Sequence, residues 1–178
     1  MLDDRPERLL GFLESSGPGL HALLTRLTLR EDVAEDLMQE LFIRLSKSKA
    51  FEKARNRQAY ARRCAINLAF DWRQRSGPNH LALDEVRERA SSGNSPLRRL
   101  IHREEMERIL EGISRLRGIS RESFVMRYIQ QDSYEQIAQE LGRQPHQVRA
   151  LCSKAMSQLR TMLNSRGPGA SRKGACDA

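Results

Sequence analysis

The stretch SYEQIAQELGRQPHQVRALCSKAMSQL, Ser133 to Leu159, decides the fold class. Ser133 with Gln136 three residues on forms a capping box before a helix that runs to Leu141, and Gly142 supplies the left-handed turn that ends it. Pro145 suits the first position of a new helix, whose Val148, Leu151 or Cys152, Ala155, Leu159 and Met162 recur at helical spacing. Helix, glycine turn and basic amphipathic helix is the pattern of a helix-turn-helix, in which the second helix enters the major groove of DNA. The exposed side of that helix begins with His146, Gln147 and Arg149 and continues to Ser153 and Lys154. Gln and Arg near its start can make bidentate contacts to adenine and guanine edges. A helical hairpin that binds only protein has the same pattern, so both readings stand at this point.

Upstream, Ser120 is placed to cap a helix with Phe124, Val125, Tyr128 and Ile129 on its buried side. The second unit therefore spans 98–163. Before it, 77–97 concentrates Gly, Ser, Asn and Pro at both ends and reads as a flexible linker. After it, 164–178 has almost no apolar bulk and is expected to be a disordered basic tail. The first unit, 8–76, has no alternating strand-like run, and no Gly or Pro falls between Gly19 and Gly77. The fold class expected is all-α, two small helical domains joined by the linker.

Within the first unit, Asp32 with Glu35 reads as a capping box, and Val33, Leu37, Leu41 and Leu45 follow every fourth residue as a core stripe. Opposite that stripe, Asp36, Gln39, Glu40 and Ile43 stack on one exposed face. Carboxylates around an exposed isoleucine suit docking on a basic protein surface, although an ordinary solvated face has the same composition. Asp36 and Glu40 lack a third ligand for a metal. The next helix, Asn56 to Gln74, is expected to bury Tyr60, Cys64 and Leu68. Arg62 and Arg73, eleven residues apart, fall about 20° from each other on one face and can follow a phosphate backbone together. Phe51, Phe70 and Trp72 add aromatic area of the kind that stacks on unpaired bases, or else belong to the core.

Charge follows the same division. Of 178 residues, Lys and Arg number 31 against 23 Asp and Glu, a net +8. The surplus is concentrated in residues 46–76, with nine bases to two acids, and in 142–163, with four bases and no acid, while the segments between alternate in sign. Two separate basic segments suit two contacts on one nucleic acid, or two helices kept soluble. No apolar run approaches 18 residues, which excludes a membrane span, and the mean hydropathy is −0.64. MLDDRPERLL has no signal-peptide pattern, so a cytoplasmic location is expected. Cys64, Cys152 and Cys176 are far apart and in no ligand spacing, which supports neither a disulfide framework nor a zinc site.

Three ordered blocks resemble the extracytoplasmic-function (ECF) class of bacterial sigma factors, the minimal members of the sigma-70 family that keep regions 2 and 4. AEDLMQELFIRL, Ala34 to Leu45, is similar to the family's region 2.2 signature. RQAYARRCAINLAFDWRQR, Arg57 to Arg75, resembles regions 2.3 and 2.4, with Asn67, Asp71 and closing arginines, and SYEQIAQELG resembles the first helix of the region 4 helix-turn-helix. The chain departs from the family where Gln144 and Leu151 stand in place of a small capping hydroxyl residue and an arginine, and where Tyr60 takes a usual tryptophan position.

The resemblance implies an alternative sigma factor, which does no covalent chemistry and gives core RNA polymerase its promoter specificity. It implies that Asp36, Gln39, Glu40 and Phe42 dock on the clamp helices of the polymerase β′ subunit, with a further contact to the β flap. Arg62, Arg63, Asn67 and Arg73, with the basic segment Ser46 to Gln58, would hold −10 DNA, and His146, Gln147, Arg149 and Lys154 would read and hold the −35 element. Core polymerase, promoter DNA and an anti-sigma factor are the partners implied, with no cofactor and no metal. Two other classes compete. A recombinase with a helix-turn-helix needs a nucleophile beside an arginine cluster, usually on an α/β domain, and no strand pattern carries one. A plain helix-turn-helix regulator that does not replace sigma would not be expected to match region 2.

Overall fold

The computed structural model describes residues 5–76 and 96–165, and most of the expected linker and tail, with Cys176, lies outside these described residues. Every regular element among them is helical: α1 (Arg5–Thr28), α2 (Glu31–Lys47), α3 (Lys49–Lys53), α4 (Arg57–Ser76), α5 (Pro96–Ser114), α6 (Gly118–Phe124), a π-helical turn Val125–Ile129, α7 (Tyr134–Leu141) and α8 (Pro145–Asn164). Pro96 opens α5, so that helix begins inside the segment read as linker.

In the first unit α1, α2 and α4 pack on one another, and α3 is laid on α4. Leu20, Leu24 and Leu27 of α1 meet Val33, Leu37, Leu41 and Leu45 of α2 over Ala61, Ala65, Ile66 and Ala69 of α4, all of them buried. Alanines on α4 remove side-chain bulk where two neighbours must approach, so the core closes without large residues from every helix. α1 ends because Leu29 turns left-handed at φ 58°, held by the buried Thr28, whose hydroxyl donates to Leu24 O and accepts the Arg30 N–H. The expected capping box at Asp32 is absent. α2 instead starts at Glu31 with Arg30 as its cap residue, and the Asp32 carboxylate is occupied by the Arg30 guanidinium, which holds it below the usual carboxylate range. At α4, Asn56 provides the cap, accepting the Ala59 N–H at 2.9 Å.

In the second unit α8 is the central helix, packed by α5, α6 and α7. The Ser133–Gln136 capping box forms with both of its hydrogen bonds, and Gly142 is left-handed at φ 62°. Val148, Cys152, Ala155 and Leu159 form the buried side of α8. Two details upstream differ from the sequence reading. Ser120 lies inside α6, which begins at Gly118 without a side-chain cap. Tyr128 is 43% exposed, because the Gln130 N–H reaches back five residues to Val125 O, and the wider π turn rotates Tyr128 off the face that buries Phe124, Val125 and Met126.

The two units touch. Their buried apolar side chains form one continuous cluster, with α4 facing α5 across the boundary. The sharp corner between α7 and α8 fixes the direction of α8, and it rests on Ser133 and Gly142. Ser133→Ala should cost about 1 kcal/mol through the lost cap, and Gly142→Ala about 1–2 kcal/mol through its left-handed backbone. Urea unfolding monitored by circular dichroism measures both.

Candidate functional site

Three surfaces carry the residues singled out by the sequence, and the structure treats them differently. On α2, Asp36 and Gln39 are exposed and Ile43 is 49% exposed, as their positions opposite the core stripe require. Glu40 is half-buried and accepts two hydrogen bonds from the Arg44 guanidinium at 2.5 and 3.1 Å, an i, i+4 pair on the helix surface. Phe42 is half-buried against the core and forms the edge of this face, not its centre. Beside it, Val33, Asp36, Leu37, Glu40, Trp72, Arg75 and Ser76 line a groove of about 380 Å³ with acids on one wall and an arginine on the other. The second unit leaves Asp36 and Gln39 uncovered.

On α8, His146, Gln147, Arg149 and Lys154 are all exposed and project from the side opposite Val148 and Cys152. Gln147 folds back so that its Oε1 accepts the Gln144 N–H at 3.1 Å, which closes the start of the helix where the chain has no hydroxyl cap. Arg149 lies over the Tyr134 ring at 5.3 Å and 3.5 Å from Glu135, both on α7. The pair is exposed and weak, so Arg149 is oriented without being sequestered.

The four residues on α4 are not free. Arg62 and Arg73 do fall on one face and are half-buried and buried, Asn67 is half-buried, Arg63 keeps part of its side chain in solvent, and each has a partner on the second unit. Arg62 donates to Asp132 Oδ2 at 2.6 Å and pairs with Glu140 Oε1 at 3.0 Å. Arg63 Nε donates to Glu122 Oε2 at 2.8 Å, and Asn67 Nδ2 donates to the other oxygen of Glu122 at 3.1 Å. Arg121 completes the set by donating to Asn67 Oδ1 at 2.9 Å, with its guanidinium over the Phe70 ring. Arg73, only 5% exposed, donates to the Leu27 carbonyl at 3.0 Å and forms an ion pair with Glu107. Burial pushes the Glu140 carboxyl above its usual range against the opposing effect of Arg62, and lowers the Arg121 guanidinium.

The aromatics divide in the same way. Phe51 is buried between Phe12 at 5.3 Å and Tyr60 at 6.0 Å, and Phe70 is fully buried, so only half-buried Trp72 retains accessible ring area. Two arginines that the sequence reading did not name singly, Arg55 and Arg57, line a cleft of about 950 Å³ between the start of α4 and the end of α7, together with Asn56, Tyr60 and Arg63. Their signal was the basic run 46–76 taken as a whole. The thiols of Cys64 and Cys152 are raised by burial, and the described residues include no cluster of three or more His, Cys, Asp and Glu placed to hold a metal. No described helix is long and apolar enough to cross a membrane.

Two helical units with a basic helix-turn-helix in the second define a DNA-binding, all-α protein. The sigma-70 region 2 family matches residues 12–78, and the sigma-70 region 4 family matches 106–159, together about two-thirds of the 178 residues and in that order. The chain belongs to the sigma-70 family, in its extracytoplasmic-function class. Among solved structures it is similar to the sigma factor RpoE of Bartonella quintana, co-crystallised with the anti-sigma factor NepR, at 21% identity and a TM-score of 0.48, covering 90% of this chain and 99% of that one. No curated protein sequence matches it.

Arg73 sits where three elements meet, so its removal should weaken the fold and not merely a surface. Breaking a buried pair from one side costs about 3–5 kcal/mol. Arg73→Met is therefore expected to lower the thermal midpoint far more than Arg63→Met, whose side chain is partly in solvent, and a calorimetric comparison of the two variants checks this.

Proposed function

We propose that the chain acts as an alternative sigma factor that binds core RNA polymerase and directs it to promoters by their −10 and −35 elements. The observation that carries this reading is the presence of regions 2 and 4 in one chain, in order, with the acidic face of α2 and the basic face of α8 both exposed. In this reading Asp36, Gln39 and Glu40 meet the β′ clamp helices, with Phe42 packing at the rim, and the second unit meets the β flap. Arg62, Arg63 and Asn67, with the basic segment from Ser46, hold the −10 strand by phosphate contacts, and stacking offsets the few kcal/mol of opening the duplex. Arg73 is assigned to the same −10 contact, although here it is buried against the Leu27 carbonyl and Glu107. His146, Gln147 and Arg149 read base edges of the −35 element, and Lys154 holds a phosphate. The protein does no covalent chemistry, works in the cytoplasm, and an anti-sigma factor is a further expected partner.

Reconstitution tests this directly: the chain with purified core polymerase, and no other factor, should start transcription at specific promoters. A helix-turn-helix regulator of another kind would bind DNA and fail to do so. Asp36→Arg with Glu40→Arg should greatly weaken binding to core polymerase and leave the thermal midpoint almost unchanged, because neither side chain belongs to the core. Arg149→Ala should flatten preference at one or two −35 positions, by about 1–3 kcal/mol of discrimination, and leave −10 preference as it was. A library of randomised −35 elements transcribed by both holoenzymes gives the readout.

A further inference from the structure

The acidic face of α2 continues onto a second helix. Asp36 and Glu40 form one wall of the groove of about 380 Å³ whose other wall is the end of α4, with Trp72, Arg75 and Ser76, and buried Val33 and Leu37 line it as well. Each wall carries polar groups that the chain itself uses only in part. Among the described residues, Asp36 has no ion-pair or hydrogen-bond partner. Both bonds from Arg44 end on Glu40 Oε1, so Oε2 can take a second donor. Arg75 is exposed, and its Nε donates to the Asp71 carbonyl at 3.3 Å, which steadies the side chain and leaves the terminal guanidinium nitrogens to an incoming acceptor. Trp72, the single tryptophan of the chain, is half-buried in the same groove. An aromatic ring framed by acids on one side and a base on the other is a surface of defined chemistry.

We propose that this groove is a socket within the polymerase contact: Trp72 and Arg75 of α4 are interface residues beside Asp36 and Glu40 of α2, and the helix received there presents an arginine to the Asp36 wall and a carboxylate, one turn along, to Arg75. The inference rests on the assignment of the α2 face to core polymerase made above, and it adds the chemistry of the partner. A guanidinium is flat, stacks on an aromatic face and bonds a carboxylate in bidentate fashion, so one arginine side chain can use Trp72 and Asp36 together. The opposite signs of the two walls fix the direction of the entering helix, because the reversed orientation brings like charges together. Tryptophan and arginine are also the residues that most often carry binding energy where a contact loses its water. Asp36 and Glu40 belong both to the groove and to the α2 face, so a helix lying along Asp36, Gln39 and Ile43 also meets the groove. Duplex DNA is the poorer occupant, since the two carboxylates repel its phosphates.

The test uses the full chain made with 5-hydroxytryptophan at its single tryptophan position, which can be excited apart from the tryptophans of the polymerase. In the free chain the indole should be open to quenching by acrylamide, and core polymerase alone, without DNA, should cut that quenching severalfold. Arg75→Glu should weaken core binding roughly tenfold at an unchanged thermal midpoint, because the side chain is exposed. Trp72→Leu, which keeps apolar bulk against the core and removes the stacking ring, should weaken core binding as well. Among arginine-to-alanine variants of the clamp helices, one should restore the quenching of Trp72. A labelled chain that binds core with Trp72 as accessible as before would overturn the socket and leave the sigma reading intact. Protection that appears only when promoter DNA is added would give the groove to nucleic acid, and protection already present in the free chain would show it covered without a partner; either result rejects the inference. If no clamp-helix arginine affects Trp72, the assigned occupant is wrong. A chain that does not bind core at all removes the sigma reading itself, and the socket with it.

Discussion

Everything in this molecule depends on α4 being covered on two sides. A helix at a domain surface usually buries one stripe and wets the other. Here Ala61, Ala65, Ile66, Leu68 and Ala69 are all buried, and Arg73 near the C-terminal end is buried as well. One side closes the core with α1 and α2, and the other lies against the second unit. The small residues let the first contact form, and the long cations make the second. Arg73 joins the two, since the same guanidinium holds carbonyls at the end of α1 and the Glu107 carboxylate of α5.

That double cover ties the site to the fold. Were the four polar positions of α4 apolar, the units would close as one permanent core. Were they without acidic partners, the bases would stay in solvent and the units would meet only through their apolar cluster. Paired ions between two proteinlike surfaces give an intermediate result: the partners must be desolvated to meet, and much of the attraction is spent on that desolvation. An incoming phosphate backbone offers the same guanidinium groups an equivalent anion.

How much of this was legible in the sequence differs by scale. Helix identity and the corner between α7 and α8 were, because Ser133, Gln136, Gly142 and Pro145 act within a few residues of themselves. The outer face of α2 was, because a strict four-residue stripe fixes what lies opposite it. The start of α2 was missed because Arg30, two residues before the expected box, reached Asp32 first. Tyr128 was misplaced because a π turn has no local sequence signature and shifts every residue after it. The covering of α4 was the largest omission. Its four acidic partners are scattered from residue 107 to residue 140 with no common period, and only the alternation in the sign of charge between segments hinted that the basic run had a counterpart within the chain.

Glu140 shows how fine the balance at this boundary is. Its carboxyl is pushed up first by burial and further by the nearby Asp132 carboxylate, with Arg62 acting against both, so desolvation outweighs the pairing. A carboxyl raised in the folded state contributes stability that is present below its unfolded value and is lost as pH rises through the raised one. At neutral pH, then, Glu140 opposes the burial that the rest of the set favours, and its second oxygen has no hydrogen-bond partner. Asp132, partly exposed and fixed through its own carbonyl by Arg127, makes the shorter contact with Arg62. The pair Arg62–Asp132 thus supplies the closer attraction at this end of α4, and the cost of burying Glu140 works against it.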